Sequence, residues 1–105
     1  MRIEIIRNCV QAGMMRWTEH AMQRLFKRGI AKDEITQSLM TGEIIEQYPD
    51  DYPYPSCLVV GLTIKGEYLH VVCGSGEPDL WIITTYRPDQ AEWSKDFKAR
   101  KEKRK

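Results

Sequence analysis

The chain is poor in cysteine: Cys9, Cys57 and Cys73 are the only three in 105 residues, an odd number with no CxxC pair. That excludes a disulfide framework and a zinc ribbon, and it fits a reducing compartment. Long apolar stretches are also missing. The longest unbroken run is four residues, as at Cys57 to Val60, against the roughly 20 that a membrane-spanning helix needs. The opening MRIEIIRNCV alternates charged with apolar residues and lacks a signal peptide's apolar block, so we expect a cytoplasmic protein with no membrane association. Histidine is scarcer still. His20 and His70 are the only two, without an HExxH or a spaced carboxylate cluster beside them, so no metal is expected. No GxGxxG, GxxxxGKS/T or GxSxG occurs, which removes nucleotide-phosphate loops and the serine-hydrolase elbow, and no cofactor is expected.

What remains is an ordinary globular composition, 42% hydrophobic and 30% charged, in a length that fits one domain over 1–105. The net charge of +1 conceals an asymmetry. From Lys95 to Lys105 there are seven basic side chains and two acidic ones, leaving nine and thirteen for the first 94 residues. Such a basic tail on an acidic body is a handle for nucleic acid, or else the solvated end of a helix.

Apolar spacing at Ile3, Ile6, Val10 and Met14 predicts a helix over 2–13, with a short strand on Ile3 and Ile5 as the rival. Thr18 caps a second helix over 19–28 that Gly29 stops, and a third spans 32–41 before Gly42. The period then changes to two. Strands are expected over 43–48, 57–64, 67–73 and 80–86, with loops at 49–55 and 74–79 and a short closing helix over 89–100. Helices followed by strands argue for an α+β fold, with the helices on one face of a roughly four-stranded, mainly antiparallel sheet.

On the second helix His20, Arg24, Lys27 and Arg28 share a sector about 100° wide, beside the core-facing Ala21, Met22 and Leu25. Cations arranged in this way suit phosphate; the plainer alternative is a solvated face, or ion pairs to Glu43, Glu46, Asp50 and Asp51. A two-residue turn at Lys65-Gly66 pairs Gly61 with His70 and Val60 with Val71. Leu58, Val60, Leu62, Ile64, Leu69, Val71 and Cys73 then face the helices, and His70 lies on the other face with open space above its ring. The plainer alternative is a histidine hydrogen-bonded within the sheet. Tyr86 and Arg87 end the last strand on opposite faces, and the three tryptophans read as core anchors.

Thr18-Glu19-His20-Ala21, Arg24, Arg28-Gly29-Ile30 and Ile35 resemble the opening pattern T-x-H-A-x-x-R-x-x-x-R-G-I of the bacterial domain-of-unknown-function family 4258. The resemblance continues through Gly42 to Asp51, Gly61, Leu69 to Val72, Thr84 to Pro88 and Trp93, so it covers about 17–93. Ala31 stands where the family usually has a Ser or Thr cap before the third helix. The resemblance implies a fold similar to RelE-like and MqsR-like messenger-RNA-cleaving toxins, with a small antitoxin as partner. Metal-free RNA cleavage needs a proton acceptor for the 2′-hydroxyl, a donor for the leaving 5′-oxygen and cations for the phosphate. His20 and His70 are the acid–base candidates, with Tyr86 as a further catalytic candidate. Arg24, Arg28 and Arg87 are the candidates for phosphate. The expected function is a metal-independent endoribonuclease toxin acting on RNA, free or on the ribosome; the competing reading is a non-enzymatic RNA- or protein-binding module of the same fold. An antitoxin would cover the helix-free face or add a strand to a sheet edge, competing with RNA for the cations.

Overall fold

A computed structural model describes residues 1–101; the last four residues of the basic tail, 102–105, lie outside the described residues. Three helices and one short strand fill the first 41 residues. The first, α1 (Ile3–Ala12), ends where Gly13 takes φ +72° and returns its N–H to the carbonyls of Cys9 and Val10. A three-residue strand, β1 (Met15–Trp17), follows and leads into α2 (Glu19–Arg28). Thr18 caps α2 as expected, its hydroxyl accepting the Ala21 N–H at 3.0 Å, and Gly29 closes it at φ +64°. The third helix, α3 (Lys32–Thr41), begins at Ala31, which has no side chain to cap with. Glu34 reaches back instead and accepts the Ala31 N–H at 3.0 Å, half of a capping box.

Four longer strands follow: β2 (Glu43–Tyr48), β3 (Ser56–Leu62), β4 (Tyr68–Ser75) and β5 (Leu80–Tyr86). They form one mixed five-stranded sheet in the order β1-β5-β4-β3-β2. All neighbours are antiparallel except β1, which runs parallel to β5 from Met15 opposite Leu80 to Trp17 opposite Ile82. The α+β class and the four later strands match the expectation, and β1 is an addition. Three residues are too few to show a period, which is why sequence pattern missed it.

The hairpin differs in register. Thr63 N–H bonds to the Glu67 carbonyl, Glu67 N–H to the Thr63 hydroxyl, and Gly66, at φ +78°, to the Thr63 carbonyl. These bonds make a five-residue connection, so Leu62 pairs with Tyr68, Gly61 with Leu69 and Val60 with His70. A slip of one residue reverses every side chain of β3. Cys57 and Val59, with Leu69, Val71, Cys73, Leu80 and Ile82, therefore meet Ile6, Ala21, Leu25, Ile30, Ile35 and Leu39 in the helix-side core. Leu58 and Val60 are buried on the opposite face. Gly61 is turned toward α3, where a Cβ would lie 2.1 Å from the Ser38 carbonyl oxygen. The missing side chain serves the close approach of helix and sheet and leaves no space above His70.

The closing helix over 89–100 does not form. Asp89 accepts the Ala91 N–H, Asp96 the Lys98 N–H, and the Ser94 hydroxyl the Ala99 N–H. These short polar side chains satisfy the backbone in a turn-rich segment instead. A bridge between Trp93 and Arg100 closes it into a small loop, with Phe97 at φ +59° near its tip. This segment lies as a strap across the sheet face that the helices leave free, and Trp93, only 2% exposed, anchors it.

Candidate functional site

Strand alternation places Leu58, Val60, His70, Val72 and Tyr86 on the strap side of the sheet. His70 is fully buried, which corrects the expectation of an accessible imidazole. Its Nε2 lies 2.8 Å from the Phe97 carbonyl oxygen and its Nδ1 3.2 Å from the Tyr86 hydroxyl. A carbonyl can only accept, so in the neutral ring Nε2 carries the hydrogen and Nδ1 accepts from Tyr86. The edge of Trp93 meets the imidazole with ring centres 4.4 Å apart. Burial under the strap pushes the His70 pKa down, opposed by the bond to Phe97 and the charge of Glu46. The ring is therefore neutral at neutral pH. Burial likewise raises the Tyr86 phenol, which stays protonated.

Three side chains of β2 and the strap complete this face, and sequence pattern did not find them. Arg100 grips Glu46 with two hydrogen bonds of 2.8 and 3.0 Å and lies over the Trp93 ring at 4.6 Å. Tyr48 donates its hydroxyl to the same carboxylate. The Arg100 guanidinium holds the Glu46 carboxyl below its usual range, while burial, and then the bond to Glu46, pushes the Tyr48 phenol up to about 12. Lys98 adds an ion pair to Glu43 at 2.6 Å. In the sequence Arg100 was one charge among many in a basic tail. Nothing in local spacing connects it to a strand more than 50 residues away.

Because β1 stops opposite Ile82, the later residues of β5 have no strand beside them there. Arg28 fills the gap, donating from Nη1 to the Thr85 carbonyl at 2.5 Å. Arg87 in turn donates to the Arg28 carbonyl at 2.8 Å and to the Gly29 carbonyl at 3.5 Å, capping the C-terminal end of α2, and pairs with Glu67 at 3.5 Å. The end of β5 thus gathers Tyr86, Arg28 and Arg87, with His70 directly behind the phenol. Arg24 is half-buried one turn before Arg28. His20 is exposed two turns before it, about 12 Å along the helix axis. His20 and His70 are therefore separated: α2 packs on the helix side of the sheet, and His70 faces the strap.

Among the described residues no three His, Cys, Asp or Glu side chains come together as a metal ligand set, and no helix is long and apolar enough to cross a membrane. The family model described as "Domain of unknown function (DUF4258)" matches residues 17–87, and the chain belongs to that family. The matched span runs from the end of β1 to Arg87, so it holds the α2 stripe, His70 and Tyr86, and it stops before the strap. The comparison with curated proteins gave no match, and neither did the comparison with solved structures.

Proposed function

We propose that the protein is a metal-independent endoribonuclease of the toxin type, similar in fold to RelE-like enzymes, and that it cuts RNA at the end of β5. The observation that carries this reading is the Tyr86 hydroxyl donating to a buried, neutral His70, with the Arg28 guanidinium one residue away on the Thr85 carbonyl. Tyr86 is half-buried and can touch a substrate that His70 cannot reach. The phenol takes the proton of the RNA 2′-hydroxyl as it passes its own to His70 Nδ1, and low pKa keeps that nitrogen free to accept. The 2′-oxygen then bonds phosphorus and the bond to the 5′-oxygen breaks. That oxygen takes a proton from water, and the hydroxide left takes back the proton that His70 held only transiently, returned through Tyr86, so a 2′,3′-cyclic phosphate forms and His70 is neutral again. Arg28, Arg87 and Arg24 supply positive charge for the phosphate. Glu46, Tyr48 and Arg100 act through the strap, holding His70 in its buried setting.

The test is purified protein with RNA in EDTA. Continued cleavage with cyclic-phosphate ends is the expected result, and strict dependence on an added divalent metal defeats the mechanism. A second reading has its own support: His70 has both ring nitrogens engaged, and Arg28 and Arg87 already bond backbone carbonyls. In that reading the protein binds RNA or a protein partner without turnover. An antitoxin fits either reading. The outer edge of β2 offers unpaired backbone groups to an extended chain, and cover over the α2 stripe would compete with RNA for its cations.

A further inference from the structure

A cleft of about 420 Å³ opens at the opposite end of β4 and β5 from Tyr86. Trp81, Ile83 and Gly74 form its floor, and Asp51, Tyr52 and Tyr54 of the β2–β3 connection form its wall. Tyr52 is almost wholly exposed. The two nearby glycines keep the rings in place. A Cβ at Gly76 would fall 2.7 Å from Trp81 Nε1 and 2.9 Å from Tyr54 Cε2, and one at Gly74 would fall 3.3 Å from Ile83 Cδ1. Buried Ser56 donates its hydroxyl to Asp51 and fixes the carboxylate at the rim.

Two facts decide what this cleft takes. It shares a face with the proposed cleavage site: His70, Val72 and Gly74 alternate on one side of β4, and Gly74 pairs with Trp81. Four residues of strand separate His70 from Gly74, about 13 Å. Half-buried Val72 and Thr84, paired across the strands, lie between. The chemistry of the lining is the second fact. Asp50, Asp51, Glu77 and Asp79 make this end acidic, with Arg16 already committed to Asp79 at 2.9 Å, so a phosphate is repelled. An uncharged base is not. Aromatic walls stack on any base, whereas a carboxylate selects the base with two parallel donors on one edge, which is guanine through N1–H and its 2-amino group.

We propose that the Asp51, Tyr52, Tyr54 and Trp81 cleft is a base-binding subsite for a guanine of the RNA strand that crosses Tyr86. The proposal rests on the ribonuclease reading for its substrate, but its test separates the two. Fluorescently labelled 2′-O-methyl oligonucleotides, which cannot be cut because the 2′-oxygen is blocked, are bound to the full chain. One is all uridine and the other has a single guanosine in the same background. The wild-type protein binds the guanosine oligonucleotide more tightly. Tyr54→Ala weakens it by about 5- to 150-fold, the range of one base–aromatic stack. Asp51→Asn removes the guanosine preference and leaves uridine binding unchanged. Unaltered thermal unfolding of both variants shows that their folds persist. Guanosine preference lost in Asp51→Asn, without cleavage of the unmodified RNA, keeps the subsite and removes the ribonuclease. Cleavage with no guanosine preference, equal in Asp51→Asn and wild type, removes the subsite and keeps the ribonuclease. A wild-type protein that binds neither oligonucleotide, or that fills the cleft with an arginine-rich peptide instead, overturns the proposal.

Discussion

His70 illustrates how much of a residue's chemistry its surroundings decide. Its folded pKa is depressed by burial, so near neutrality folded and unfolded chains carry the same charge there. As pH falls below the unfolded value of about 6.5, the unfolded chain takes up a proton that the folded one refuses. Stability from this group is therefore full above that value and falls as pH drops toward the depressed pKa. Denaturant unfolding of the wild type at pH 7.5 and 5.5 should show the loss, and His70→Gln should show a smaller one; equal losses contradict the burial account. The stability that the depressed Glu46 carboxyl contributes is present above its ordinary value of 4.5 and is lost only as pH falls below it. The sequence placed His70 on the correct face, because β4 alternates without a break. It could not show the cover, because the residues that bury it, Trp93 and Phe97, follow β5 with no periodic pattern.

At the scale of elements, turn chemistry and packing made the decisions that spacing left open. The three helices lie within a residue or so of their expected bounds because Gly13, Thr18 and Gly29 mark their ends. The β3–β4 register slipped by one because Thr63 and Glu67 close a longer turn than Lys65-Gly66 suggests. Gly61 should be intolerant of change. Gly61→Ala forces a methyl into the Ser38 backbone and is expected to cost about 2–3 kcal/mol or more, measured by denaturant unfolding. Gly66→Ala, which meets open space at positive φ, should cost about 1 kcal/mol. Equal costs would place the hairpin in the expected register. The strap depends on its anchor more than on its charges. Trp93→Ala should destabilise by about 3–5 kcal/mol and expose His70 to diethyl pyrocarbonate. Removing the solvent-facing Arg100–Glu46 pair, whose arginine side chain is 60% exposed, should cost about 1 kcal/mol or less.

Across the whole molecule, charge is distributed by end. Arg28 and Arg87 stand at the end of β5, where the strap mixes Lys95, Lys98, Arg100 and Lys101 with Asp89, Glu92 and Asp96, while the β2–β3 connection and the 77–79 loop are acidic. Binding of an uncleavable RNA should weaken linearly with the logarithm of salt, and Arg24→Gln should make that slope shallower by somewhat under one. An unchanged slope would remove the α2 stripe from the phosphate path. Arg28, Arg87 and Tyr86 come together at the end of β5 with His70 behind the phenol, whereas Arg24 lies one turn and His20 two turns back along α2. Helical spacing correctly put His20 on the cationic stripe, yet a stripe has length, and only its Arg28 end reaches the sheet.

That distinction makes the most direct measurement a comparison of two variants. Cleavage of a ribo-oligonucleotide in EDTA is followed for the wild type, Tyr86→Phe and His20→Ala. Loss of the phenolic hydroxyl should slow cleavage by about 100-fold or more in a protein that stays folded, less stable by about 1–3 kcal/mol for the unpaired His70 Nδ1, because it removes the group that joins the 2′-hydroxyl to His70. His20→Ala should cut at close to the wild-type rate. A Tyr86→Phe protein that cuts normally, or a His20→Ala protein that does not cut at all, would contradict the account.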